Sequence, residues 1–335
     1  MRVTFTGIFI FVLVWTVRGQ YIPNSGQMFQ FAPVYNPAFS GVEEFTDVKL
    51  GYRQQMTGYG KNSPKFVNLL ANFRLKQPLD ISTNTLRPSN AKAVSRPGFA
   101  PAGKRMIIGG GVNVFNEKVG LVERLGGGLT YSMHYPLSKK VRLSVGVTGV
   151  VEQINLDTDG IYLGREPDAD PFYEYLMNGS SKQTNLSVRG GMLLYGQNFY
   201  VGVSYLPMVT NVVKASEVNF SSSYYRATGQ FGLALPAGPD FVFKPSVLAI
   251  MQMDNSFLID YSVKADIRER AWVGLTYRDI KAAVLQVGFD FTPAIAAGYS
   301  YEMSVGEFKQ FNDGSHDLVL SLRLNNFKSQ RQYTW

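Results

Sequence analysis

Arginine, lysine, aspartate and glutamate recur at every second position along several stretches of this sequence, each time opposite a row of apolar residues. In 257–267 the apolar row is Phe257, Ile259, Tyr261, Val263, Ala265 and Ile267, and the other row holds Asp260, Lys264 and Asp266. Arg278 ends the next such stretch, and Arg323 lies between Leu322 and Leu324 in the last. Arg53, Arg74, Arg142, Glu152, Arg189, Arg226, Lys244, Arg268 and Asp290 extend the set. Charges of mixed sign on one face can pair with each other, wet a polar wall, or seat an acidic partner. The residues alone leave open a salt-bridged interior and a seat for acidic cargo.

Other chemistry is sparse. Asn155-x-Asp157-x-Asp159-Gly160, followed by Glu166, has the spacing of a calcium loop with Asn at the first ligand, and Asp168 and Asp170 add acid nearby. No helices flank it, so a solvated acidic loop is the competing reading. His134 and His316 stand far apart, and neither Gly-x-Ser-x-Gly nor His-Glu-x-x-His occurs. No catalytic residue and no cofactor are expected. The glycine triplets 109–111 and 126–128 open no helix, which points to close strand contact rather than phosphate binding.

Strands must position these charges. Period-two alternation marks fourteen of them: 46–55, 65–76, 104–115, 122–135, 140–156, 184–195, 199–206, 224–235, 241–252, 257–267, 271–278, 283–291, 294–304 and 318–324. Many run to about ten residues or more, longer than the usual five or six. Charge at mid-strand leaves no second apolar face for packing sheet on sheet, which ranks a soluble β-rich binding protein behind a membrane barrel. Lipid outside and a polar lumen inside account for both features. The expected fold is all-β, a transmembrane antiparallel barrel of about fourteen strands.

The connections orient it. Segments 56–64, 116–120, 157–183, 207–223, 253–255, 279–281 and 305–315 join odd strands to even ones, and the opposite set is shorter apart from 77–103. Long loops outside and short turns inside place both termini in the periplasm.

The one unbroken apolar run, 7–17, is too short to span a membrane as a helix. It follows Arg2 and precedes Arg18-Gly19, the arrangement of a secretory signal peptide over 1–19. Without Arg2 and Arg18 the formal charge falls from +8 to +6, and the basic residues are dispersed, so no nucleic-acid partner is expected. The chain has no cysteine, which excludes disulfides and a lipid anchor. The organisation read from this is signal peptide 1–19, N-terminal arm 20–44, barrel 45–325 with an insertion at 77–103, and tail 326–335. Three prolines keep the arm from forming one long helix or strand. It reads as an ordered segment packed on or in the barrel, with direct partner binding as the sharper alternative.

Several stretches in order resemble the PorP/SprF family of the Bacteroidetes type IX secretion and gliding machinery. They are Asn36-Pro37-Ala38-Phe39-Ser40-Gly41, then Tyr52-Arg53-Gln54-Gln55-Met56 with Gly58 and Pro64, then Asn113 with Lys118-Val119-Gly120. Tyr200-Val201-Gly202-Val203-Ser204, Lys244-Pro245-Ser246 and His316-Asp317-Leu318 follow. Met56 stands where the family commonly has Trp. The resemblance implies a non-enzymatic barrel in the bacterial outer membrane that binds a secreted cargo through its C-terminal secretion domain, a gliding adhesin in some members. It also implies contact with periplasmic secretion-system lipoproteins. Partner-binding candidates on this basis are Asn36, Pro37, Ala38, Phe39, Tyr52, Arg53, Gln54, Gln55 and Met56. Lumen-facing candidates are Arg74, Arg142, Arg189, Arg226, Lys244, Asp260, Lys264, Arg278 and Arg323. A passive channel or small-solute transporter is the alternative function.

Overall fold

The computed structural model describes residues 25–75, 106–138, 140–156, 182–214, 225–268, 270–279, 281–305 and 313–324. The expected signal peptide, the 77–103 insertion, the calcium-like loop from Asp157 onward and the 326–335 tail lie outside them.

The alternating stretches form one antiparallel sheet. Its strands are β1 (Thr46–Gln54), β2 (Lys65–Leu75), β3 (Ile107–Val119), β4 (Val122–Pro136), β5 (Val141–Leu156), β6 (Lys182–Gly196) and β7 (Phe199–Lys214). They continue as β8 (Tyr225–Leu233), β9 (Leu235–Ala237), β10 (Phe241–Gln252), β11 (Phe257–Ile267) and β12 (Ala271–Arg278). The last are β13 (Ala282–Asp290), β14 (Ile295–Ser304) and β15 (Ser315–Leu324). β1 pairs with β15 from Thr46 opposite Leu324 to Gln54 opposite His316, so the ring closes and has no free edge. From Phe241 to Met251 on β10, β8 and β9 pair in one register, parted beside Ala234, where Pro245 on β10 lacks an N–H to give. They form one wall position, and the barrel has fourteen.

Several boundaries differ from the sequence reading: β3 runs past Phe115 to Val119, the last strand begins at Ser315, and β7 differs most. Pro207 suggests a loop after Leu206, yet β7 runs on to Lys214. The β6–β7 register shifts between Val188 and Gly190, so the proline falls where the ladder is already interrupted, and a bulge tolerates its missing N–H.

The two faces of the wall are inverted relative to a protein in water. On β15, Leu318, Leu320, Leu322 and Leu324 point outward, while Ser321 and Arg323 are buried. Every wall position carries the outward apolar row: Leu50, Leu69, Val114, Leu129, Val147, Met192, Val203, Phe231, Phe243, Val263, Leu275, Leu285, Tyr299 and Leu320 are 41–70% exposed. Leaving such side chains in water forfeits about 1.5–3 kcal/mol apiece. Around a whole ring that requires lipid.

The lumen is not empty. Residues 25–45 run through it as an arm with three helical turns, Met28–Phe31, Ala32–Tyr35 and Pro37–Phe39. Phe31 and Tyr35 pack against Leu70, Leu248, Ile250 and Val319 of the wall. Ala38, Phe39 and Val42 pack against Leu193, Tyr195, Tyr200 and Ala234. The core of this molecule is the contact between the arm and the inward face of its own barrel.

Candidate functional site

The arm's shape is set locally. Pro33 and Pro37 sit in the first turns of the helical segments they begin, where a missing N–H costs nothing. Asn36 caps the last turn, its Oδ1 accepting from the Ala38 N–H at 3.0 Å. Its Nδ2 reaches the wall instead, donating to the Met192 carbonyl at 3.1 Å and standing 3.4 Å from the Val203 carbonyl and from Gln230 Oε1. That reach is possible because Gly191 and Gly202 leave the wall backbone bare; a Cβ at either would meet the Asn36 side chain.

Glycines shape the wall elsewhere along the arm. A Cβ on Gly146 would overlap the Pro37–Ala38 peptide, one on Gly51 the Phe31 ring, and one on Gly109 the Ser40 carbonyl. Gly41 has φ +77°, the left-handed region that a side chain resists, and it carries the chain past Gly109.

Where side chains do project inward, they address the arm's main chain. Arg278 Nη2 donates to the Ser25 carbonyl at 2.8 Å, Gln286 Nε2 to Gly26 at 2.6 Å, and Lys49 Nζ to Gln30 at 2.9 Å. Ser204 Oγ donates to the Tyr35 carbonyl at 2.7 Å and Ser144 Oγ to Ala38 at 2.8 Å. Ser132 Oγ and His134 Nε2 both meet the Ser40 carbonyl, and Arg74 takes those of Gly41 and Val42. Donors from opposite sides of the ring thus converge on one chain.

At the arm's first described residues the wall is ionic. Arg53 pairs with Asp317 at 2.8 Å and Glu302 at 3.1 Å; Arg278 pairs with Glu302 at 2.6 Å and Asp260 at 3.3 Å. All five are at most 6% exposed, and Gly26 donates its N–H to Asp317. The cluster crosses the β1–β15 closure. Each buried charge is tolerable only because its partners are in place. Beside it, Lys244 and Lys264 share Asp266 at 2.6 and 3.1 Å, and Lys264 lies 4.6 Å above the centre of the Phe29 ring. A cavity of about 50 Å³ remains between Phe29, Tyr35 and Phe39 of the arm and Lys244, Lys264 and Tyr200 of the wall. That holds a few waters.

The structure spreads the sequence-derived candidates over three settings. Asn36, Pro37, Ala38 and Phe39 are buried inside the barrel, not on a surface open to a partner. Arg53 and Gln55 are buried as well, Tyr52 faces outward at 41% exposure, and Gln54 and Met56 end β1 and begin its loop. Met56 has φ 53° and anchors that loop to Ser315. Lys244, Asp260, Lys264, Arg278 and Arg323 are buried lumen residues in ion pairs, Arg323 with Asp290 at 2.8 Å. Arg74 pairs with Glu44, and Arg226 reaches Asn255 at 2.8 Å. Arg142 is in phase with the inward Ser144, and Arg189 lies opposite Thr148 at the β6 bulge. Arg268 belongs to none of these groups: it stands in a turn, 74% exposed, against Asp240. Among the described residues, no group of His, Asp or Glu could hold a metal ion.

Sequence reasoning missed Lys49, Ser132, Ser144, Ser204 and Gln286. One signal was there. Ser144-Val145-Gly146 and Gly202-Val203-Ser204 each place a hydroxyl and a bare backbone on the same face of a strand.

A family model described as type IX secretion system membrane protein PorP/SprF matches residues 17–322. No curated protein matches the chain. Among solved structures it is similar to the Acinetobacter baumannii outer membrane protein Omp33, with 14% identity and TM-score 0.44 over 85% of this chain and 100% of that one. It is also similar to the Pseudomonas putida toluene transporter TodX, with 11% identity and TM-score 0.49 over 88% and 94%. For the CymD monoaromatic hydrocarbon channel the values are 13% and 0.47 over 89% and 92%.

Proposed function

Because this chain belongs to the PorP/SprF family of type IX secretion system membrane proteins, we propose that it works in the outer membrane as a holding component of that machinery, not as a conduit or an enzyme. Its task in this reading is to bind a secreted cargo protein, through the cargo's C-terminal secretion domain, for export or surface retention. Its periplasmic side contacts secretion-system lipoproteins. The observation that supports the reading is the filled lumen. Among the described residues, the arm and the inward side chains occupy the lumen, and the pocket between Phe29, Tyr35 and Phe39 and the wall is about 50 Å³.

Affinity capture of the tagged protein from detergent-solubilised outer membranes, followed by mass spectrometry, tests this. Recovery of one large secreted protein through its C-terminal domain is the expected result. A barrel that comes down alone, and conducts ions steadily in planar bilayers, would overturn it in favour of a channel.

A further inference from the structure

The lumen treats residues 25–42 as a ligand. This stretch carries no charged residue, although the wall around it is rich in them. Eight of its carbonyls, those of Ser25, Gly26, Gln30, Tyr35, Ala38, Ser40, Gly41 and Val42, accept from wall side chains. Main-chain contacts of this kind recognise a peptide's course and tolerate changes in its side chains. Side-chain selection falls mainly to three aromatic anchors spaced four apart, Phe31, Tyr35 and Phe39, and to the Asn36-Pro37 turn.

Two further observations separate the arm from the wall. The arm contributes no strand: all fourteen wall positions pair in a closed ring without it. Its helical turns are three or four residues long, too short to persist alone, so its order comes from the lumen.

We propose that the barrel interior is a peptide-binding site, that the arm is its tethered resident, and that a second uncharged peptide with the same aromatic spacing and Asn-Pro turn can take its place. Exchange leaves the wall closed. A tethered segment competes at an effective concentration in the millimolar range, so an outside peptide must be supplied at a comparable level or presented locally.

The full chain has no cysteine, so Ala38→Cys puts one thiol at a fully buried position of the arm, and Lys61→Cys puts one on an exposed loop as a control. In detergent, the thiol of Ala38→Cys should react slowly with a bulky polar maleimide. Adding a synthetic peptide of residues 25–42 should raise that rate about tenfold, because labelling follows the population of the displaced state. The same peptide with Ser at the three aromatic positions should not. In the same chain, adding Ser132→Ala and Ser144→Ala should each raise the basal rate by several-fold, about the worth of one hydrogen bond. Should Ala38→Cys itself loosen the arm, Val42→Cys gives the same reading from a position 2% exposed. Rates that ignore the peptide while Lys61→Cys labels at once would overturn the proposal. So would equal acceleration by the two peptides. Cargo capture takes no part in this test, so failure here leaves the proposed function standing.

Discussion

The two sides of the barrel hold the arm by different physics. On one side β1, β12, β13 and β15 offer Lys49, Arg278, Gln286 and Asp317 to the main chain of residues 25–30. On the other, β3 to β7 offer hydroxyls and glycines to residues 35–41, where fit is measured in missing Cβ atoms. Charged donors are strong and tolerate small displacements, because Coulomb attraction falls slowly with distance. Glycine contacts attract little but admit only one path, because overlap rises steeply. The first side supplies strength and the second supplies register.

Substitutions on each side can break that division. The largest effect is expected for Arg278→Met, which strips Glu302 and Asp260 of a buried partner. About 3–5 kcal/mol of stability should be lost, read from the urea midpoint of the folded band on a semi-native gel. The Ala38→Cys thiol should nonetheless stay protected; its exposure would mean that the two halves are not separate. Gly146→Val comes next, with about 1–3 kcal/mol from overpacking and with residues 37–38 driven from the wall. Gly149→Val, on the same strand with nothing within 4 Å of its Cβ, should be silent. Combining Arg278→Met with Gly146→Val sharpens the comparison: costs that add within about 0.5 kcal/mol mark two independent devices, and a larger coupling marks a rigid strap. Asn36→Ala removes a cap and wall contacts together and should cost about 1–2 kcal/mol in the same urea assay. Ser144→Ala, one hydroxyl to one carbonyl, should cost about 1 kcal/mol.

The wall was largely legible in the sequence, and an arm packed on or in the barrel was too, but the arm's course and its contacts were not. Alternation carries the side-chain face directly, so Leu318 to Leu324 announce a strand with arginine inside and leucine outside. Local pattern says nothing about partners far apart in the chain. Arg53 meets Asp317 only because the ring closes, 264 positions later. The arm has no strand period, since its course is dictated by the lumen it fills. Its Asn-Pro motif stood out by resemblance, but only the structure puts it inside. The glycines are the reverse case: visible as a pattern, and explicable only once Asn36, Pro37 and Ser40 lie against them. Pro207 misled because a proline at a bulge and a proline in a loop look alike in one dimension.

Strand length makes the wall uneven around the ring. β3 to β7 have 13–16 residues, whereas β12 to β15 have 8–10. On the long strands the outward apolar row gives way to Asn116, Glu123, Gln153, Asn155 and Thr184, with Asn116 bonded to Glu123 at 3.0 Å, so these ends stand in water. On the short side Tyr277, Leu285 and Met303 keep the outward row apolar towards the strand ends at the same rim. At about 3.3 Å per residue, the strands of that side, five of the fourteen wall positions, are longer by roughly 10–25 Å measured along the strand, so the wall stands further into water there than at β12 to β15.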